Sequence, residues 1–233
     1  MDTRPMTRRR LLGSAAGLGL GLAVPTALWV RSADEAVPKN ATEARQRLVD
    51  GNKRFIAGQS VHGHASKEWR KRLATGQTPF ATILGCSDSR FPAELVFDQG
   101  FGDLFVIRVA GNVISTDVVG SLQYAWYHLR VPLLVVLGHE GCGAVTAALD
   151  AKFRRHREPE RIEALVRMVE PGLKDIDANL PPEKQLTAAV TANVRWSMTQ
   201  LAELPEIKKA LKDGRFEMIG AVYDLETGKS LLP

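Results

Sequence analysis

Two stretches, F-A-T-I-L-G-C-S-D-S-R at residues 80–90 and L-L-V-V-L-G-H-E-G-C-G at residues 133–143, decide the fold of this chain. Each begins with an apolar run of the length expected for a buried strand and ends in a cluster of reactive side chains. Strand and helix patterns alternate around them, which predicts an α/β fold with a mainly parallel central sheet covered by helices. Sites in such sheets form at the carboxyl ends of the strands, so the two clusters are expected to meet.

The two clusters contain the residue types of a catalytic zinc site. Thiolate, imidazole and thiolate from Cys86, His139 and Cys142 supply three of the four ligands of a tetrahedral zinc, and a catalytic zinc keeps its fourth position for water. Asp88 and Arg90 lie two and four residues after the first ligand. A carboxylate and a guanidinium beside the metal indicate hydration or hydrolysis rather than a closed structural finger.

Two other readings of the cysteines remain open from the residues alone. The chain has only 2 cysteines, and in an exported protein a pair of cysteines often forms a disulfide. The pair could also act as a zinc-binding or redox-sensing switch. Neither interpretation requires Asp88 or Arg90. The presence of both residues beside a possible metal ligand favours a catalytic zinc site.

Periodicity predicts the other elements of the fold. Helices are predicted over Ala41–Gly58, Lys67–Thr75, Asp117–Leu129, Ala144–Leu149, Arg161–Val169 and Glu183–Leu204. Strands are predicted over Phe80–Gly85, Leu104–Val109, Leu133–Leu137 and Phe216–Tyr223, with an additional edge strand over Leu225–Leu232.

The charge of the chain is concentrated at its beginning. Five arginines against one aspartate in residues 1–31 account for +4 of the total of +5. The remainder is nearly neutral, which gives no support for nucleic acid as a partner.

The first 36 residues predict an export signal and linker, followed by a catalytic domain over residues 37–233. Thr7-Arg8-Arg9-Arg10-Leu11-Leu12 resembles a twin-arginine motif, and an uncharged run to Val30 follows it. This pattern predicts a periplasmic or otherwise exported protein without stable membrane association after the signal is removed. The alternative is an uncleaved membrane anchor, since about 20 uncharged residues suffice to cross a bilayer.

The pairing of C-x-D-x-R with H-x-x-C some fifty residues later resembles the β-class carbonic anhydrases, over about Ala41 to Leu232. The resemblance implies that Cys86, His139 and Cys142 bind one Zn²⁺ per chain. It also implies reversible hydration of carbon dioxide to bicarbonate and a proton, by attack of zinc-bound hydroxide. In this reading Asp88 and Arg90 form the catalytic dyad, and Asp88 becomes a fourth metal ligand if Arg90 releases it.

The plant-like subgroup of that family supplies three substrate-binding candidates. They are Gln77, nine residues before Cys86, Phe105 on the second strand, and Tyr124 on the helix before the third strand. Taken alone, Gln77 is an ordinary loop residue, Phe105 a core residue and Tyr124 a half-buried helix residue. The resemblance makes them the wall of a carbon dioxide pocket.

The resemblance also implies a homodimer or homotetramer. In the family the helices at the start of the domain pack across a partner, and Gly51-Asn52-x-x-Phe55 matches them. Two thiolate ligands should make the metal's water less acidic than three imidazoles do, so activity is expected to rise toward alkaline pH. Related substrates such as carbon disulfide or carbonyl sulfide remain an alternative within the same fold.

Overall fold

A parallel sheet of four strands forms the centre of the computed structural model, which describes residues 37–214 and 216–230. The strands are β1 (Ala81–Gly85), β2 (Leu104–Arg108), β3 (Leu133–His139) and β4 (Glu217–Tyr223). They are arranged in the order β2-β1-β3-β4, and every neighbouring pair runs parallel. The predicted α/β architecture is confirmed.

Eight α-helices of the described residues surround the sheet. They are α1 (Ala41–Ile56), α2 (Lys67–Leu73), α3 (Ala93–Val96), α4 (Thr116–Tyr127), α5 (Gly143–Arg154), α6 (Glu160–Val169), α7 (Pro182–Ala202) and α8 (Pro205–Lys212). There are also two short 3-10 turns: Ala110–Asn112 lies between β2 and α4, and Glu170–Leu173 lies between α6 and α7.

The core lies on both faces of the two central strands. All residues of β1 and β3 are buried, which explains why both read as continuous apolar runs. Because successive side chains of a strand point to opposite faces, Val135 and Leu137 pack with Ile83 in one apolar cluster, whereas Leu134 and Val136 pack with Leu84 in another. Helices cover both clusters, and the parallel pairing of β1 with β3 places the carboxyl ends of these strands side by side.

Helix α1 approaches α3 unusually closely, and the motif that begins at Gly51 explains why. A Cβ placed on Gly51 would lie 1.8 Å from the carbonyl oxygen of Phe97, so only glycine fits. The buried Asn52 donates to the carbonyls of Val96 and Gly228 at 3.0 and 2.9 Å and accepts from the Ser230 amide at 3.0 Å. These bonds tie α1 to α3 and to the C-terminal turn.

The observed elements differ from the predicted ones mainly at their ends. The long helix predicted to Leu204 stops at Ala202, and a separate helix, α8, begins at Pro205. The edge strand predicted from Leu225 is wrong for the described residues, which contain only one antiparallel bridge, between Tyr223 and Ser230. There the carboxylate of Asp224 accepts from the backbone of the following turn, which takes the chain out of an extended conformation.

The predicted export signal over residues 1–36 lies outside the described residues. Within the described part of the chain, none of the helices combines the length and the apolar character needed to span a membrane.

Candidate active site

Cys86, His139 and Cys142 meet at the carboxyl end of the sheet. Cys86 follows β1 directly, His139 is the last residue of the neighbouring β3, and Cys142 lies immediately before α5. Their ligand atoms all lie within 4.8 Å of one another, and all three residues are buried. The two Sγ atoms are 4.0 Å apart and both thiols are free. A disulfide, with a bond of about 2.05 Å, is therefore absent from this pair.

The imidazole of His139 is oriented with one nitrogen toward the two thiols. Its Nδ1 lies 2.8 Å from the carbonyl oxygen of Glu140, so this nitrogen carries the proton and donates. Its Nε2 is buried and has no hydrogen-bond partner among the described residues. A buried lone pair without a partner is costly in a folded protein unless something else binds it.

The three donors fit a zinc ion. Two sulfurs at about 2.3 Å from a tetrahedral zinc lie roughly 3.8 Å apart, close to the observed separation. The free lone pair of His139 Nε2 supplies the third bond, and the hydrogen bond at Nδ1 fixes the tautomer, as is usual for histidine ligands of zinc.

The protonation of the two thiols also suits a cation. Hydrogen bonds from the Cys142 thiol and the Gly111 amide lower the pKa of the Cys86 thiol. The bond to Cys86, together with burial, raises the pKa of Cys142. A dication bound between the two sulfurs would displace the thiol protons and turn both residues into thiolate ligands.

Asp88 and Arg90 form a two-point ion pair at the edge of the cluster. Arg90 donates from Nε to Asp88 Oδ1 at 2.9 Å and from Nη2 to Oδ2 at 2.7 Å, and its backbone amide also donates to Oδ1 at 3.0 Å. These bonds hold the pKa of Asp88 well below its usual range, so the carboxylate is ionised. Asp88 Oδ2 lies 3.8 Å from His139 Nε2, which places the charge beside the metal-binding face.

Two residues outside the predicted site shape the loop after β1. Arg108, at the end of β2, donates to the carbonyl of Cys86 at 3.0 Å and to the carbonyl of Asp88. The amide of Gly111 donates to Cys86 Sγ at 3.3 Å. Arg108 can be recognised in the sequence as the first residue of an R-x-x-x-N pattern. Gly111 acts through its backbone amide, which leaves no signal in the pattern of side chains.

The three substrate-binding candidates do not gather around Cys86 within the single chain. The rings of Phe105 and Tyr124 stack, with centroids 6.2 Å apart. Phe105 pairs in register with Thr82, so it lies roughly 10 Å along the sheet from the end of β2. Gln77 is exposed after α2 and lines a cleft with Trp69 and Leu73, whereas Tyr124 lines a different one. The structure therefore brings together five of the eight predicted site residues.

A parallel α/β sheet with a Cys–His–Cys site and an ionised carboxylate at its carboxyl edge has the architecture of a zinc enzyme that activates water. Comparisons with known proteins agree. The family model described as carbonic anhydrase matches residues 81–230. Carbonic anhydrase 2 of Mycobacterium tuberculosis is 38% identical over 201 residues, covering 83% of this chain and 93% of that protein. A carbonic anhydrase of Mycolicibacterium smegmatis is 38% identical over 198 residues, covering 82% and 92%.

Solved structures give the same result. The β-carbonic anhydrase CcaA matches with a TM-score of 0.67 and 29% identity, covering 80% of this chain and 86% of that one. The chain belongs to the carbonic anhydrase family, in its β class. It is a zinc enzyme that hydrates carbon dioxide, as the resemblance in the sequence implied.

Proposed function

We propose that this chain hydrates carbon dioxide at the cluster of Cys86, His139 and Cys142, with Asp88 and Arg90 as its catalytic dyad. The observation that carries the assignment is the buried, unpartnered Nε2 of His139, which faces two thiols and an ionised carboxylate. Bound there, zinc would lower the pKa of a water molecule to near neutrality and so supply hydroxide.

The dyad orients the nucleophile. The Asp88 carboxylate is an acceptor only, so it takes a hydrogen bond from a hydroxyl group at the metal-binding face and directs the oxygen lone pair toward the substrate. Arg90 keeps Asp88 ionised and turned in this direction through its two-point bond. Arg90 Nη2 also donates to the carbonyl of Gly141 at 3.2 Å, which ties the dyad to the loop between His139 and Cys142.

A second copy of the chain completes the substrate pocket in this proposal. In the single chain, Phe105 lies along β2 at a distance from the metal ligands, and Gln77 and Tyr124 line clefts that contain none of these ligands. Tyr124 and its neighbour Tyr127 are 47% and 69% exposed, which is unusual for aromatic side chains of this size. Packing this surface against a partner would bury the aromatic rings and bring a polar amide and an apolar wall to carbon dioxide. The assembly is a dimer or a tetramer.

The enzyme works outside the cytoplasm in this proposal. The arginine-rich segment Thr7–Leu12 and the uncharged run that follows support a twin-arginine signal. That route carries folded proteins, so the zinc site would be complete before its thiols reach an oxidising compartment.

The direct test of the site replaces each cysteine ligand separately. Cys86→Ser and Cys142→Ser should each lose bound zinc and essentially all hydration activity, because a hydroxyl is a far weaker zinc ligand than a thiolate. Zinc is measured by mass spectrometry of the metal and activity by stopped flow. Ser87→Ala, a neighbouring change outside the ligand set, is the control. A full zinc equivalent in both serine variants would overturn the ligand assignment.

A further inference from the structure

We infer that Asn193 and Ser197 of α7 are positioning residues for the zinc ligand Cys86, acting through the turn Ala110–Asn112. The inference rests on the proposed ligand set and goes beyond it, because neither residue touches a metal ligand. Both lie more than a hundred residues after Cys86 in the sequence.

The turn Ala110–Asn112 donates a hydrogen bond to the zinc ligand Cys86, and it does so in an unfavourable backbone conformation. The Gly111 amide donates to Cys86 Sγ at 3.3 Å. Two successive residues of the turn have left-handed backbones, Gly111 with φ 68° and Asn112 with φ 44°. For a residue other than glycine this conformation is unfavourable and persists only where the surroundings impose it. A Cβ on Gly111 would also lie 3.0 Å from the Cβ of Ala144.

Helix α7 provides the groups that impose this conformation. Asn193 Nδ2 donates to the carbonyl of Gly111 at 2.8 Å. The Ser197 hydroxyl donates to the carbonyl of Asn112 at 3.0 Å and accepts from Asn112 Nδ2 at 3.2 Å. Asn112, Asn193 and Ser197 are each 1% exposed, so water cannot replace these bonds.

The amide of Asn193 is used on its donor side. Its Oδ1 is buried and has no hydrogen-bond partner among the described residues. Turning the amide over would place Oδ1 against the Gly111 carbonyl oxygen and lose the 2.8 Å bond, so the contact fixes the orientation. A buried amide that leaves its oxygen unpaired indicates that donation to Gly111 is its role.

The physical consequence is an effect on metal affinity. Hydrogen bonds that orient a ligand typically contribute about 10-fold to 100-fold to the affinity for the metal. If α7 did not hold the turn, the Gly111 amide would no longer point at Cys86 Sγ, and the thiolate would lose a hydrogen-bond donor.

The test measures zinc affinity in Asn193→Leu and Ser197→Ala by competition with a chromophoric chelator. Asn193→Leu keeps the side-chain size without the donor, and we expect zinc to bind roughly tenfold more weakly or worse. Ser197→Ala removes only a hydroxyl and should weaken binding several-fold while the protein remains folded. With cobalt in place of zinc, the sulfur-to-metal absorption band of Asn193→Leu should also shift.

The control is Leu201→Ala, a buried change on the same helix whose contacts lie in the other apolar cluster. It should lower stability and leave zinc affinity unchanged. Wild-type affinity in both Asn193→Leu and Ser197→Ala would overturn the inference, as would an equal loss in Leu201→Ala. Failure of the proposed ligand set would appear differently, as a wild-type chain without zinc.

Discussion

At the scale of single residues, the separation of Asp88 and Arg90 by one residue creates a self-contained unit. The backbone amide and the guanidinium of Arg90 both donate to the Asp88 carboxylate, so its orientation is fixed within three residues of chain. The rest of the protein places this unit beside His139: β1 ends just before it, Arg108 donates to the Asp88 carbonyl, and Arg90 donates to the Gly141 carbonyl.

Asp88→Asn tests the role of the carboxylate. The amide keeps the shape of the side chain but cannot act as an ionised acceptor, so we expect zinc to be retained and hydration to fall by roughly 100-fold or more. Stopped-flow rates and metal content measured on the same sample separate the two effects. Asp175→Asn makes the same chemical change at an exposed site and should leave both unchanged. Wild-type rates in Asp88→Asn would remove Asp88 from the mechanism.

The metal ligands could be predicted from the sequence because a strong rule places them. Buried parallel strands end at one edge, so Cys86 and His139 had to meet if both apolar runs were strands of one sheet. No comparable rule predicts the role of Gly111, which acts through its backbone amide. None predicts the role of Asn193 either, which contacts Gly111 from 82 positions further along the chain. Their roles depend on the path of a turn, which apolar periodicity does not encode.

At the scale of elements, strongly patterned segments were predicted correctly and weakly patterned ones were not. The buried strands β1 and β3 were found within two residues of their observed ends. The four-residue helix α3 is too short to show a helical period. Helix α8 was not predicted, because Pro205 was expected to end the helical pattern, whereas it is the first residue of a new helix. An edge strand was predicted over the final turn because apolar periodicity does not reveal the hydrogen bonds from the Glu226 and Thr227 amides to the Asp224 carboxylate.

Gly51→Ala tests the packing of α1 on α3. In an isolated helix this change is favourable, but here the added Cβ would meet the Phe97 carbonyl oxygen at 1.8 Å. We expect the free energy of unfolding to fall by about 1–3 kcal/mol, measured by denaturant titration.

The matched control is Gly120→Ala in α4, where a Cβ would meet nothing within 4 Å in the single chain. Because Gly120 lines the same cleft as Tyr124 and Tyr127, both glycine variants are compared in the Tyr127→Glu background. Helix propensity alone predicts a gain of roughly 0.5–1 kcal/mol there. Equal effects at the two glycines would show that α1 and α3 do not approach as closely as described.

At the scale of the whole molecule, the pocket proposal predicts that activity depends on assembly. Light scattering after size-exclusion chromatography should give a dimer or a tetramer. Tyr127→Glu places a charge on the exposed aromatic surface and should shift the protein toward monomer and lower its activity. Ile162→Glu, the same type of change at an exposed residue of α6, should alter neither. A fully active monomer at nanomolar concentration would contradict a shared pocket.

The export proposal has an independent test. A reporter fused to residues 1–40 should leave the cytoplasm, because the segment carries an arginine-rich motif and an uncharged run. Replacing Arg8, Arg9 and Arg10 by lysine keeps the charge and should retain the reporter inside. Retention of the unaltered fusion in the cytoplasm would rule out this signal.

Catalysis at the zinc site can be measured by stopped-flow hydration of carbon dioxide from pH 6.5 to 9, on wild-type protein of measured zinc content. We expect about one zinc per chain and rapid turnover that rises with pH, because the metal is bound by two thiolates and one imidazole. Full zinc without turnover at any pH would contradict the catalytic assignment, and a chain without zinc whose Cys86 and Cys142 are joined would contradict the site itself.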